Sequence, residues 1–273
     1  MELISIVIPV YNRKDIVSKS VDSALIQNYP NFEIIIVDNN STDGTFEFLN
    51  EKYGGEPKIK LFQNDTNVGP VKNWIRGIEE AKGKYIKLLF SDDWIESNYL
   101  LSISKFFNED EVSLFYTPAI IHSEERSVSF YKTYKKNKLI PSNKFISNLL
   151  LGYRTPVSPG CALFTKELLL ESLNIVINKK NHDQFLMYGA GIDMYCYLYS
   201  ALNNKYVYYI SDSFAHFLSH KGSFTTSNSL RSLYKTTKLY FINRKIKIPR
   251  RYIYKLIVWF ELDRILVQLS NRI

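Results

Sequence analysis

The sequence predicts an α/β protein built on a mostly parallel central sheet flanked by helices, with a basic helical C-terminal extension. Three observations carry this. Short, almost continuously apolar runs alternate with helix-like segments through about the first hundred residues, as expected of strands buried on both faces. Polar clusters at 9–12, 38–43 and 91–93 follow the ends of those runs, where open parallel sheets gather their ligands. The net charge of +8 belongs to one end of the chain. Residues 231–273 hold eleven Lys or Arg against Glu261 and Asp263, leaving 24 basic and 25 acidic residues in 1–230. That asymmetry sets a boundary near residue 230.

Taken in order, Leu3 to Val10 reads as a first strand, followed by a helical segment from Lys14 to about Gln27. Glu33 to Val37 is a second strand, and Asp38 to Gly44 is a polar turn leading into another helix. A third strand runs from Lys58 to Phe62, after which Asn67-Val68-Gly69-Pro70 opens a helix with proline in its first turn. Tyr85 to Phe90 is a fourth strand, ending at Ser91-Asp92-Asp93, with a helix beginning near Glu96–Asn98. Beyond it the pattern loosens. Residues 112–121 read as one strand and 124–142 as a polar loop. Gly152, Pro156, Pro159 and Gly160 punctuate the approach to a strand near Phe164. Asp193 begins a helix ending near Asn203, and Tyr206 to Ile210 is a further strand.

Composition narrows the function classes. A hydrophobic content of 45% over 273 residues excludes a disordered chain and suffices for one large domain. Met1-Glu2-Leu3-Ile4 lacks the basic start of a signal peptide. No run reaches the roughly 18–20 apolar residues of a membrane span. Cys161 and Cys196 stand far apart with no CxxC spacing and read as buried thiols of a reducing compartment. The expected location is therefore cytoplasmic. No GxGxxG follows the first strand, which disfavours a dinucleotide-binding oxidoreductase. Pro9-Val10-Tyr11-Asn12-Arg13-Lys14 is not the Gly-rich basic loop a nucleotidyltransferase needs. The basic tail comes with no nucleic-acid-binding module.

Asp92-Asp93 is the central constellation. Adjacent carboxylates after a buried strand suit Mg2+ or Mn2+, and a divalent ion can neutralise a diphosphate leaving group. They equally suit a solvated turn capping the next helix. Asp38, at the end of the second strand, can accept from a base N–H or a ribose hydroxyl, or close an Asx-turn on its own loop.

Pro9-Val10-Tyr11-Asn12, Val37-Asp38-Asn39-Asn40-Ser41-Thr42-Asp43-Gly44-Thr45, Asn67-Val68-Gly69 and Ser91-Asp92-Asp93, in that order and spacing, resemble the signature of family 2 glycosyltransferases. The resemblance spans about the first hundred residues, continues more loosely to about residue 227 and does not cover the tail. It implies the GT-A fold over 1–230, with 1–95 the nucleotide-binding half and 96–230 the acceptor half. It implies inverting transfer of a sugar from a nucleotide-diphospho-sugar, with UDP the expected nucleotide, to the hydroxyl of a glycan or lipid-linked saccharide.

By the same resemblance, Pro9, Val10, Tyr11 and Asn12 flank the base, Asp38 contacts it, and Asn39, Asp43, Asn67 and Gly69 belong to the nucleotide-sugar site. Lys72 lies near base or phosphate, Asp92 touches ribose and Asp93 ligates the metal. His220, in Phe217-Leu218-Ser219-His220-Lys221-Gly222-Ser223, looks like the family's segment near the diphosphate and is a second metal candidate, with Lys221 and Ser223 near phosphate. The base is expected at Asp193, in Gly189-Ala190-Gly191-Ile192-Asp193, with Asp183 as the alternative and a plain first-turn aspartate as the structural reading. His122, His182 and His216 have no assigned role. The chain departs from the family pattern twice. Phe90 replaces the first acid of Asp-x-Asp-Asp, and Ile192 replaces the Glu before Asp193. Those departures keep open a catalytically weak nucleotide-sugar or membrane-binding module of the same fold.

In the tail, Ile253, Leu256, Ile257, Phe260, Ile265, Leu266 and Leu269 approximate a helical stripe among the cations. Such a stripe packs on the domain or lies on an anionic membrane surface. The second option makes the protein peripheral at the inner face of the cell membrane.

Overall fold

Isoleucine and valine fill most of β1 (Ile4–Val10) and β2 (Phe32–Asp38), and branched side chains suit a pleated surface packed on both sides. Alternation then sorts them. Ile4, Ile6, Ile8 and Val10 join Ile34 and Ile36 in one core cluster. Val7, Ile35 and Val37 point the other way into a second, as the two-residue period of a strand requires. A computed structural model describes residues 1–152, 155–177 and 191–219, with residues 234, 237 and 238. Of the basic extension it therefore describes three positions.

β1 runs parallel to β2 and, on its other side, to β4 (Tyr85–Leu88); β3 (Ile59–Gln63) continues the sheet parallel to β2. The sheet is completed by β10 (Ala162–Thr165), β6 (Val112–Tyr116), β11 (Tyr206–Tyr209) and β9 (Lys138–Pro141), giving eight strands in the order 3-2-1-4-10-6-11-9. β10 is antiparallel to both neighbours and β9 to β11. The expected mostly parallel sheet is thus wholly parallel only in its first half.

Helices cover both faces. α1 (Val17–Leu25), α2 (Thr45–Tyr53) and α4 (Tyr99–Ser104) pack on one face. On the other lie α3 (Pro70–Glu80), α5 (Ser142–Leu151), α6 (Lys166–Ile177) and the helix Ile192–Leu202, α7. No described helix is long and apolar enough to cross a membrane.

The second half differs from the sequence expectation. The run 112–121 is two strands in different sheets. β6 ends at Tyr116, and β7 (Ala119–His122) starts after Pro118, whose ring removes a ladder donor. The stretch read as a polar loop holds β8 (Ser127–Phe130) and β9. With β5 (Trp94–Ile95) and β12 (Ala215–Leu218), β7 and β8 form a separate four-stranded sheet, order 5-12-7-8. In the first half, α1 begins at Val17 rather than Lys14, because Asn12 adopts φ 51° and residues 13–17 form a turn first, with Val17 N–H donating to Arg13 O.

Close packing of α3 on the sheet depends on Gly77. A Cβ there would lie 2.5 Å from Val7 Cγ1 and 3.2 Å from Val37 Cγ2, both in the sheet interior. Alanine gains roughly 1 kcal/mol in helix propensity, but the overlap costs about 1–3 kcal/mol and cannot relax without moving the helix. Gly77→Ala is therefore expected to lower the urea midpoint of unfolding. A raised midpoint would mean that α3 is free to shift off β1.

Candidate active site

The site begins where the parallel strands end. Val10 lies opposite Asp38 in the β1–β2 pairing, so the loops leaving the two strands start side by side. They are stitched by polar contacts. Asn12 N–H donates to Ser41 Oγ at 2.8 Å, and Thr42 N–H returns to Asn12 Oδ1 at 2.9 Å. Arg13 N–H donates to Thr45 Oγ1. Asn12 and Asn40 both sit at positive φ, 51° and 61°, which asparagine tolerates better than bulkier residues.

Asp38 is fully buried. Its Oδ1 accepts from Ser41 N–H at 2.9 Å and from Gln63 Nε2 at 3.2 Å, and its Oδ2 accepts from Ser41 Oγ at 2.5 Å. The Asx-type closure is therefore present, and the carboxylate still has lone pairs to offer. Asp43 is exposed and is held by its own loop. Burial pushes its carboxyl up, but Thr45 and the Lys14 N–H outweigh this and hold it below the ordinary range. Pro9 and Val10 are buried within β1, whereas Tyr11 is 42% exposed.

Asn39 joins this pair of loops to a third. Its Nδ2 donates to Asn67 Oδ1, and its Oδ1 accepts from Asn64 Nδ2 and Val68 N–H. Asn64 also donates to Asn73, which donates to Val37 O from α3. Gly69, at φ 83° and ψ 164°, turns the chain into Pro70 and α3, a conformation open only to glycine. Lys72 stands exposed in the first turn of α3. Ser41, Gln63, Asn64 and Asn73 were not picked out from the sequence as site residues. The asparagine density at 64–73 was the available signal.

The acidic pair follows β4. A turn closes with Asp93 N–H on Phe90 O, leaving Asp92 partly buried and Asp93 7% exposed. Asp93 Oδ1 accepts from Leu218 N–H at 3.2 Å, at the end of β12. Burial, and then the charge of Asp92, push the Asp93 carboxyl well above its usual range. Phe90, where the family pattern has an acid, packs its ring 5.4 Å from that of Trp74. His220, the other metal candidate, lies outside the described residues, as do Asp183, His182, Lys221 and Ser223. Among the described residues no group of three or more metal-ligating side chains is gathered. The two carboxylates nevertheless fit a divalent ion of the Mg2+ kind, which is held by one or two carboxylates with substrate phosphates completing its shell.

Asp193 lies in the first turn of α7. Its Oδ1 accepts from the N–H groups of Gly191 and Met194, and its Oδ2 from Tyr234 Oη at 2.5 Å. Burial raises its carboxyl to about 7, against the pull of those three donors. Ile192, in place of the family's Glu, is buried in the core.

Two of the unassigned histidines lie together. His122 Nε2 and His216 Nδ1 are 2.9 Å apart, beside Trp94 and Ser127.

The Asn39 amide supports three neighbours from a buried position. Asn39→Ala leaves the Val68 N–H and the Asn64 and Asn67 amides without that partner, at a cost of about 1–3 kcal/mol. The expected result is a lower unfolding midpoint, because the loop carrying Asn67 and Gly69 loses its tie. An unchanged midpoint would show that this loop is held without the Asn39 side chain.

Comparison with known proteins agrees with this architecture. A family model described as glycosyl transferase family 2 matches residues 5–173. The UDP-Glc:alpha-D-GlcNAc-diphosphoundecaprenol beta-1,3-glucosyltransferase WfaP of Escherichia coli is 35% identical over 124 residues, 45% of this chain and 49% of that protein. The first curated relatives are spanned over only 14–40% of their length. Among solved structures, S. aureus TarS residues 1–349 in complex with UDP-GlcNAc superposes with a TM-score of 0.72 at 19% identity, covering 94% of this chain and 70% of that one. The mannosyltransferase PcManGT from Pyrobaculum calidifontis, in complex with GDP-Man and Mn2+, gives 0.62 at 16% identity, covering 93% and 67%. At such identities the likeness speaks for the fold, which is of the GT-A type. With the family model matching well over half of its length, the chain belongs to glycosyltransferase family 2.

Proposed function

We propose that this protein transfers a sugar, with inversion, from a UDP-sugar to a hydroxyl of a glycan or lipid-linked saccharide, and that Asp193 is the general base. The observation that carries the reading is the state of Asp193. One oxygen is fixed by two backbone N–H groups, and burial raises the carboxyl to about 7, close to where a base for an alcohol works best. The UDP donor is supported by the nucleotide held in TarS and by the donor named for WfaP, and the lipid-linked acceptor by the latter name alone.

In the reaction the acceptor oxygen bonds to the anomeric carbon from the face opposite the diphosphate. The bond from that carbon to the diphosphate oxygen breaks, and its electron pair leaves with UDP. The acceptor's proton passes to Asp193. The strand-end loops carrying Asn12, Asp38, Asn39 and Asn67 hold the nucleoside, and Asp92 faces its ribose. Asp93 is the residue to hold Mn2+ or Mg2+, with His220 as its candidate partner, and a bound ion would supply charge neutralisation for the departing diphosphate. The raised proton affinity of Asp93 suits this role, since a cation reverses the penalty imposed by burial and by Asp92.

Two variants test the reading. Asp193→Asn keeps shape and loses the ability to take a proton. Transfer from UDP-sugar should fall by roughly 10²–10⁴-fold with little change in UDP affinity. Wild-type turnover should decline as pH falls below about 7, because the base is then protonated. Asp93→Ala should remove the Mn2+-dependent part of UDP binding. Full turnover by Asp193→Asn would reject the base, and undiminished turnover in metal-free buffer would reject the ion.

A further inference from the structure

The C-terminal segment reaches the candidate base. Residues 234, 237 and 238 have helical backbone, and all three are seated on the domain. Tyr234 packs against the cluster that includes α7, and Thr237 and Lys238 are each 5% exposed. Tyr234 donates to Asp193 Oδ2 at 2.5 Å. Among the described residues the other two donors to this carboxylate, both on Oδ1, are backbone groups at the start of α7. Tyr234 thus supplies the side-chain contact on the oxygen that the backbone leaves open, and that oxygen keeps a lone pair for an incoming proton.

Among the described residues, the ionisable groups that act on Asp193 or feel its charge are Tyr234, Tyr131 from the chain after β8, and Cys196 and Tyr197 on α7 itself. All four are pushed up by burial and are uncharged near neutral pH, so none of these four brings a positive charge to the carboxylate. What favours its charged form among the described groups is hydrogen bonding.

We propose that Tyr234 is a positioning residue of the transfer reaction, its hydroxyl fixing the Asp193 carboxylate that takes the acceptor's proton. The inference rests on the reading of Asp193 as base. It makes the start of the basic extension part of the catalytic unit, whatever its remaining residues bind.

Tyr234→Phe in the full chain keeps the ring and removes the donor. A hydrogen bond to a charged group is worth about one pH unit or more. The acidic limb of turnover, followed as UDP release from UDP-glucose or UDP-N-acetylglucosamine with Mn2+, should therefore move up by about one pH unit. KM for the donor should stay near its wild-type value.

A second readout needs no turnover. Asp193 has a folded-state pKa raised above the unfolded value, so its contribution to stability is present at low pH and lost as pH rises through about 7. Tyr234 limits that loss. Its removal should lower the folding constant about tenfold more at pH 9 than at pH 5. A purely packing role for the ring would give the same cost at both. Equal costs, or a variant faster than wild type because the phenol had been occupying the acceptor's place, would overturn the inference. Full activity of Asp193→Asn would overturn the base assignment separately, since the pH-dependent cost of Tyr234→Phe is measured without turnover.

Discussion

Val10 lies opposite Asp38, and Val7 opposite Leu88, in the parallel pairings of β1. The polar contacts between the loops after β1 and β2 follow from that register. Parallel strands end on the same side of a sheet, so the loops after β1 and β2 start adjacent and the turn after β4 opens beside them. A slip of one residue would turn Asp38 to the opposite face and bring Ile6, Ile8 and Val10 out of their cluster. The apolar alternation that fills the two cores therefore also aims the site. Asn39 extends the same logic to the loop before α3, because its N–H bonds Val10 O while its side chain holds Asn64, Asn67 and Val68.

The two halves are joined by a buried cation. Lys87 is fully buried in β4, where it donates to Gly160 O and lies 4.7 Å above the Tyr99 ring. Burial lowers its pKa to about 8, against the pull of nearby Asp93. A buried ammonium is costly unless its surroundings are arranged for it. Here those surroundings are the carbonyl of the turn Pro159–Cys161, an aromatic face and an acidic neighbour. Gly160 is held from the other side too, since a Cβ on it would meet Phe217 Cε1 at 2.9 Å. The turn that begins β10 is thus fixed between the donor strand and β12, the strand that also bonds Asp93.

What could be read from the sequence follows from how local the determinants are. β1 to β4 announced themselves because each is an apolar run followed by a turn, and Asp38, Asp92 and Asp93 because they sit where such runs stop. The second half was harder. Residues 112–121 look like one strand by composition, yet Pro118 divides them between two sheets. β5, β8 and β12 are two to four residues long, too short for a period to show. Asp193 was reachable only by resemblance, since an aspartate in a first helical turn has an ordinary structural use. Tyr234 carried no signal, because its partner is 41 residues away and only the folded chain brings them together.

The two departures from the family pattern have a common physical effect. Phe90 turns its ring toward Trp74, and Ile192 is buried in the core, where the pattern has carboxylates. Each substitution exchanges a charge for packing and removes one source of repulsion. At the end of β4 this leaves a pair of acids rather than three, so less negative charge is gathered there. At the start of α7 it leaves Asp193 among tyrosines, a cysteine and backbone donors. Among the described residues its proton affinity is therefore set by burial against hydrogen bonding. A carboxylate so placed is sensitive to each donor it keeps, which is why a hydroxyl contributed from the far end of the chain carries weight there.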